Sequence, residues 1–325
     1  MRLKIDYFVT GILFVILLAY MFPHVISGST AQLLNTISSI GISLIFFFYG
    51  LKLSPDKLKS GLGNFKLHFL IQGATFLLFP VLVLLFRPLI TSAEQETIWL
   101  AFFFLAALPS TVSSSVVMVS LAKGNIPAAI FNASISGIIG ILVTPLWMGF
   151  FWDNSEINFN LKEIYVNLIL QVLVPVFVGM SLQRFFGAIV QRNSSKLATF
   201  DKAVILLIIY KSYVKSFNED LFGNISWMDL ALLFVGAGIL FVIVYYLLQF
   251  ISKYLDFSME DCITAQFCGT KKSLVHGTVF SKILFGSMAI QGIILLPLMV
   301  FHILQMIVIS AIANKYGRRN QTNAQ

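Results

Sequence analysis

Two short polar stretches interrupt otherwise apolar runs of this chain. One reads Pro109-Ser110-Thr111-Val112-Ser113-Ser114-Ser115; the other reads Gly269-Thr270-Lys271-Lys272-Ser273, with His276 three residues further on. Hydroxyls near a histidine suggest a nucleophile, but no Gly-x-Ser-x-Gly elbow and no positioned acid accompany them. The expectation is therefore no enzyme. The other chemistry these residues offer is coordination, because hydroxyls and backbone groups released by a helix breaker bind ions or polar solutes. His276, and His302 beside Gln305, are candidate carriers of a coupling proton, since imidazole titrates near neutrality. Cys262 and Cys268 lack further ligands at zinc-like spacing. None of the 14 acidic residues falls in the middle of an apolar run, whereas a desolvated calcium ion normally takes several carboxylates. No metal site and no cofactor are expected.

The elements that must position these residues follow from composition. Of 325 residues, 58% are apolar and only 11% charged, and mean hydropathy is +0.89. A soluble enzyme is excluded, since soluble chains carry about 25% charged residues. The apolar runs are continuous and as long as spanning helices, which points to a polytopic all-α membrane protein rather than a barrel. Ten spans are predicted, at 7–26, 33–51, 66–90, 96–122, 125–152, 163–186, 200–217, 227–250, 259–285 and 288–313. The seventh is the weakest, with an interfacial helix as its alternative, and the first has a cleaved leader as its alternative. The net charge of +8 marks loops rather than nucleic-acid binding.

Lysine and arginine set the orientation. With the N-terminus inside, fifteen basic residues fall on cytoplasmic segments: Arg2, Lys4, Lys52, Lys57, Lys59, Lys66, Lys123, Arg184, Arg192, Lys196, Lys202, Lys253, Lys315, Arg318 and Arg319. Five fall outside (Arg87, Lys162, Lys211, Lys215 and Lys282), and Lys271 and Lys272 lie within a span. Both termini are expected in the cytoplasm, of a plasma or inner membrane.

Spans four and nine each carry a helix breaker, Pro109 and Gly269, with a polar cluster beside it. Proline removes a backbone donor, and glycine leaves helical geometry at little cost. The next span of each half holds a proline in a similar frame, Pro145 and Pro297. Five spans per half make the halves, 1–152 and 153–325, inverted in the membrane. Kinks and hydroxyls also serve plain packing. Two polar breaks at equivalent places instead indicate a secondary transporter with its site near mid-depth.

The stretches Pro109 to Ser115, Ala122-Lys123-Gly124-Asn125 and Phe267-Cys268-Gly269-Thr270-Lys271-Lys272-Ser273-Leu274 resemble the bile acid:sodium symporter family along essentially the whole chain. The second and third, with Ala128 to Asn132, Gly50 to Leu53 and Lys66-Leu67-His68, look most like its divergent branch typified by member seven of solute carrier family 10, a branch associated with calcium regulation. The resemblance implies ten helices in two inverted five-helix repeats, with helices four and nine broken and crossing. In the sodium-coupled relatives two sodium ions sit at that crossing. Carried over, the site would comprise Ser113, Ser114, Ser115, Asn132, Ser134, Thr270, Lys271, Lys272, Ser273 and Gln72. The pattern departs at span nine, where Phe267 or Cys268 stands at the family's Glu and Lys271 at its Gln.

A lysine there changes the expected coupling. Two unit charges 4 Å apart repel by about 4 kcal/mol at an effective dielectric near 20. A fixed ammonium, of Lys271 or of Lys272 if the frame slips by one, therefore replaces sodium or binds an anionic solute. Pairing with Asp261 or Glu260, or snorkelling to an interface, is the plainer alternative. The leading expectation is an alternating-access transporter of an organic anion, independent of sodium and embedded in the lipid bilayer. A non-transporting regulator acting through a partner, for example in calcium homeostasis, and a sodium-coupled bile-acid-like symporter are the alternatives.

Overall fold

A computed structural model describes residues 7–26, 28–53, 61–151, 161–223, 227–286 and 288–318. Among these there are helices and no strands. In chain order they are α1 Tyr7–Met21, α2 Gly28–Lys52, α3 Phe65–Gly73, α4 Phe79–Leu84, α5 Ala93–Ala107, α6 Ser113–Leu121 and α7 Ile126–Phe151. Then follow α8 Leu161–Leu168, α9 Val174–Arg192, α10 Ser194–Asn218, α11 Trp227–Tyr254, α12 Met259–Gly269, α13 Leu274–Phe285 and α14 Gln291–Gly317. Single π-helical turns, Ala74–Leu78 and Ile169–Leu173, join α3 to α4 and α8 to α9. Each lies just before a proline, Pro80 or Pro175, whose missing N–H is accommodated by the wider turn.

Six helical stretches are long and apolar enough to cross a membrane: Gly28–Lys52, Phe65–Leu89, Ile126–Phe151, Leu161–Arg192, Met228–Tyr254 and Gln291–Gly317. The other four expected spans differ for physical reasons. The first is a 15-residue apolar helix. The fourth and ninth are divided into pieces of 15 and 9 and of 11 and 12 residues. The seventh is a continuous 25-residue helix, α10, that carries Lys196, Asp201, Lys202, Lys211 and Lys215.

The chain forms two compact units, each drawing on both halves of the sequence. The first comprises Met1–Ser54, Asn158–Trp227 and Thr278–Leu295; the second comprises Pro55–Ile157, Met228–Gly277 and Leu296–Gln325. In the first unit α2 and α9 meet backbone to backbone. A Cβ added to Gly50 would lie 2.2 Å from the Val176 carbonyl oxygen, and one added to Gly179 would lie 2.2 Å from that of Phe47. Small residues let helices approach closely where lipid supplies no hydrophobic drive.

The second unit is built around its interior helices. Of the long apolar helices α7 and α14 are the most buried, and α2 of the first unit is far less so. Its helix starts are capped by side chains: Asn64 Oδ1 accepts from Leu67 N at 3.1 Å, Ser92 Oγ from Gln95 N at 3.2 Å and Ser258 Oγ from Asp261 N at 3.2 Å. Glu94, Glu96, Glu260 and Asp261 then lie in first turns, where the helix dipole favours negative charge. At one end Trp99 stacks on Phe103 with centroids 5.1 Å apart, and its indole donates to the Val83 carbonyl at 3.1 Å. Arg87 lies over the Trp99 ring and pairs with Glu96 at 2.5 Å.

A polar crossing of two interrupted helices

Pro109 ends α5 two residues before its own position, because its ring excludes the preceding turn and its nitrogen donates nothing. Backbone groups released by the break find partners in the second unit. Thr144 Oγ1 donates to Ala107 O at 2.8 Å. Ser136 Oγ, two turns earlier on α7, accepts from Ser110 N at 2.9 Å. Gly140 lies between them, and a Cβ there would come 2.8 Å from the Pro109 ring. Ser136, Gly140 and Thr144 follow at intervals of four, so one face of α7 seats the whole break.

The second break begins after Gly269. That glycine is the last helical residue of α12, and its φ is not in the left-handed region. Its smallness instead provides clearance, since a Cβ there would lie 2.7 Å from Leu248 Cδ1. Thr270 Oγ1 turns back onto Gln266 O at 2.6 Å. The peptide groups of Lys272 are held by one amide: Lys272 N donates to Gln305 Oε1 and Gln305 Nε2 donates to Lys272 O, each at 2.9 Å. Ser273 starts α13 by accepting from His276 N at 3.2 Å, and its hydroxyl meets His276 Nδ1 at 2.9 Å. His302 Nδ1 lies 3.0 Å from Gln305 Nε2.

The two breaks bond to one another. Ser110 Oγ donates to Cys268 O at 2.6 Å, and Ser273 N donates to Pro109 O at 2.9 Å. Released groups of each interrupted helix thereby satisfy those of the other, as lipid requires.

Both lysines of the second break are 0% exposed, so neither snorkels, and Asp261 is engaged elsewhere. The Lys272 ammonium donates to Thr75 O at 2.7 Å, Ala106 O at 2.6 Å and Leu108 O at 2.8 Å, and lies 4.2 Å from the Phe79 ring centroid. Its three donors meet three carbonyls that no helix uses. Ala106 and Leu108 are left by Pro109. Thr75 is left by the π turn, in which Phe79 N bonds Ala74 O and the next residue is Pro80. The Phe76 carbonyl, also deprived by Pro80, receives the Trp147 indole N–H at 2.8 Å. An ammonium at the C-terminal end of α5 is also favoured by that helix's dipole.

Lys271 is placed differently. Its ammonium donates to Ser114 O at 3.0 Å and lies 3.4 Å from Ser114 Oγ, in the first turn of α6. A helix N-terminus attracts anions and repels cations. Around it Thr111 Oγ1 bonds Ser114 Oγ at 2.9 Å and Ser115 Oγ at 2.8 Å.

The other expected residues form a neighbouring group. Gln72 Nε2 donates to Asn132 O at 3.0 Å and approaches its Oδ1 at 3.2 Å. Asn132 Nδ2 bonds His68 Nδ1 at 2.8 Å and Ala128 O at 2.9 Å. Gln72 Oε1 and His68 Nε2 are buried without a hydrogen-bond partner. Ser134 is buried on the same helix. The Ser113 side chain lies outside the described residues. Sequence reasoning did not select Ser110, Ser136, Thr144, Thr75 or His68 for the site. Pro80 in mid-span was the available signal for Thr75, and the four-residue spacing of small polar residues on α7 was the signal for Ser136 and Thr144. Asp261, considered as a lysine partner, instead accepts from Asn64 Nδ2 and Asn125 Nδ2, both at 2.8 Å.

Comparison with known proteins places the chain among membrane transporters. The model of the SBF-like CPA transporter family matches residues 6–318. An uncharacterised protein of Pseudomonas aeruginosa is 36% identical over 319 residues, covering 98% of this chain and 95% of that one. A protein of Escherichia coli provisionally named symporter YfeH is 32% identical, with 98% and 94% covered. Sodium/bile acid cotransporter 7 of Danio rerio is 33% identical, with 93% and 90% covered.

Proposed function

Because the chain belongs to the SBF-like CPA transporter family, and is thus a multi-pass membrane transporter, we propose that it carries an organic anion by alternating access without sodium. In this reading the chain has ten spans in two inverted five-helix repeats, 1–152 and 153–325, with both termini in the cytoplasm. One observation carries it: the Lys272 ammonium is held by three released backbone carbonyls where two interrupted helices meet. Carbonyl oxygens of that kind would suit a monovalent cation, and a tethered ammonium takes its place permanently. A covalently held charge cannot dissociate, so it stabilises the crossing but transmits no ion gradient.

Lys271 then addresses the solute. Its ammonium and the Ser114 hydroxyl stand in the first turn of α6, where the helix dipole adds to the attraction for negative charge. Lys271 is buried and Ser114 partly so, so a solute reaches the ammonium through a change of conformation, as alternating access requires. His276 and His302 adjoin the second break and remain the candidates for a coupling proton.

The test is a thermal-shift screen of organic anions against the purified protein, followed by liposome uptake of those that stabilise it. Stabilisation and uptake should persist when choline replaces sodium at fixed ionic strength. Lys271→Gln should abolish both while the protein still folds. Steep, saturable dependence on sodium would overturn the reading.

A further inference from the structure

The first unit holds a second basic site. We propose that a cavity of about 640 Å³ there, lined by Asn35, Ser39, Lys211, Lys215, Glu219 and Lys282, binds an organic dianion. Lys211 donates to Asn35 Oδ1. Lys282 donates to Ser39 Oγ at 2.7 Å and lies 3.5 Å from Asn35 O. Two ammoniums are thus anchored on one asparagine, and among the described residues neither is in an ion pair.

Charge, size and position point the same way. Like charges held together and half-buried among helices persist mainly where they face a cavity or a partner. Three lysines and one glutamate line this cavity, so its walls carry two net positive charges, matched by a dianion. The volume lies within the range of about 300–1,000 Å³ usual for organic ligands and far exceeds a bare phosphate. Ile208 and Val214 supply apolar wall for a carbon skeleton. The same three lysines are among the five basic residues that the charge bias leaves on the outer side. A binding site accounts for three exceptions that topology alone does not.

This inference does not rest on the coupling proposed for the crossing, because binding is measured without sodium and without transport. The full chain is placed in phosphatidylcholine nanodiscs and titrated calorimetrically with phenyl phosphate, benzoate and inorganic phosphate. Phenyl phosphate should bind saturably, and benzoate about tenfold or more weaker, since it lacks the second charge. Lys211→Gln and Lys282→Gln should each weaken phenyl phosphate by about tenfold or more. Lys282→Arg should retain most of the affinity, and the exposed control Lys196→Gln all of it. Neutralising one of two neighbouring like charges should not lower the melting temperature, so loss of fold would not mask the result. Competition by phosphatidic acid added to the nanodiscs would identify a lipid headgroup as the occupant, and no competition would identify a soluble solute. Absence of saturable binding, or affinity unchanged in both Gln variants, would overturn the proposal.

Discussion

Lys272 brings a charge into the second unit with three donors, and three carbonyls receive them. Those carbonyls come from α5 and from the π turn before Pro80, so one side chain fastens three chain segments. Removing it leaves buried acceptors unpaired, at about 1–3 kcal/mol each. Lys272→Met should therefore lower stability by several kcal/mol, read as a large drop in melting temperature or as loss of the monodisperse protein. Lys271 has one carbonyl and a longer hydroxyl contact, so Lys271→Gln should cost far less stability while removing function. Equal destabilisation by the two substitutions would contradict this division of roles. The sequence shows two adjacent buried lysines but not which of them is structural. That difference lies in partners 164 to 197 residues away for Lys272 and 157 away for Lys271.

At the scale of elements, α7 and α14 hold the breaks and the glycines set helix separation. Ser136 and Thr144 complete the first break, and Gln305 completes the second by binding both peptide groups of Lys272. In the first unit α2 and α9 approach so closely that Gly50 and Gly179 leave no space for a methyl group. Gly179→Ala should force the helices apart and destabilise the protein by about 1–3 kcal/mol, as overpacking generally does. Gly63, against which no atom would lie within 4 Å of an added Cβ, provides the control. A melting temperature unchanged in Gly179→Ala would show that the pair is looser than described. The run of residues predicts where these helices begin and end, because apolar length, caps and prolines act locally. It does not predict that Gly269 serves clearance for Leu248 rather than a turn, because that depends on a residue of another helix.

For the whole molecule the decisive quantities are the number of spans and their direction. Fifteen basic residues against five predict cytoplasmic termini. Cysteine substitutions in a variant lacking Cys262 and Cys268 test this directly with an impermeant thiol reagent. Thr91→Cys, on an exposed connection, should label in intact cells; Lys253→Cys should label only after permeabilisation. The opposite pattern would reverse the orientation, and labelling of both in intact cells would remove the odd number of crossings between them. The same experiment bears on α10, whose lysines make it the least apolar of the long helices and two of which line the basic cavity.

What the sequence by itself determined is what depends on neighbours along the chain. Continuous apolar runs with few charges exclude a soluble fold, and the interruptions near Pro109 and Lys271 follow from a missing donor and from polar residues that cannot face lipid. Tertiary structure alone decided which released group meets which. Thr75 is freed by Pro80 and taken by Lys272; Ser110 reaches Cys268; Asn35 gathers Lys211 and Lys282. A hydrogen bond requires placement to within a few tenths of an ångström of about 3 Å. Between residues more than a hundred positions apart, such placement arises only from the packing of helices, which local propensity leaves open.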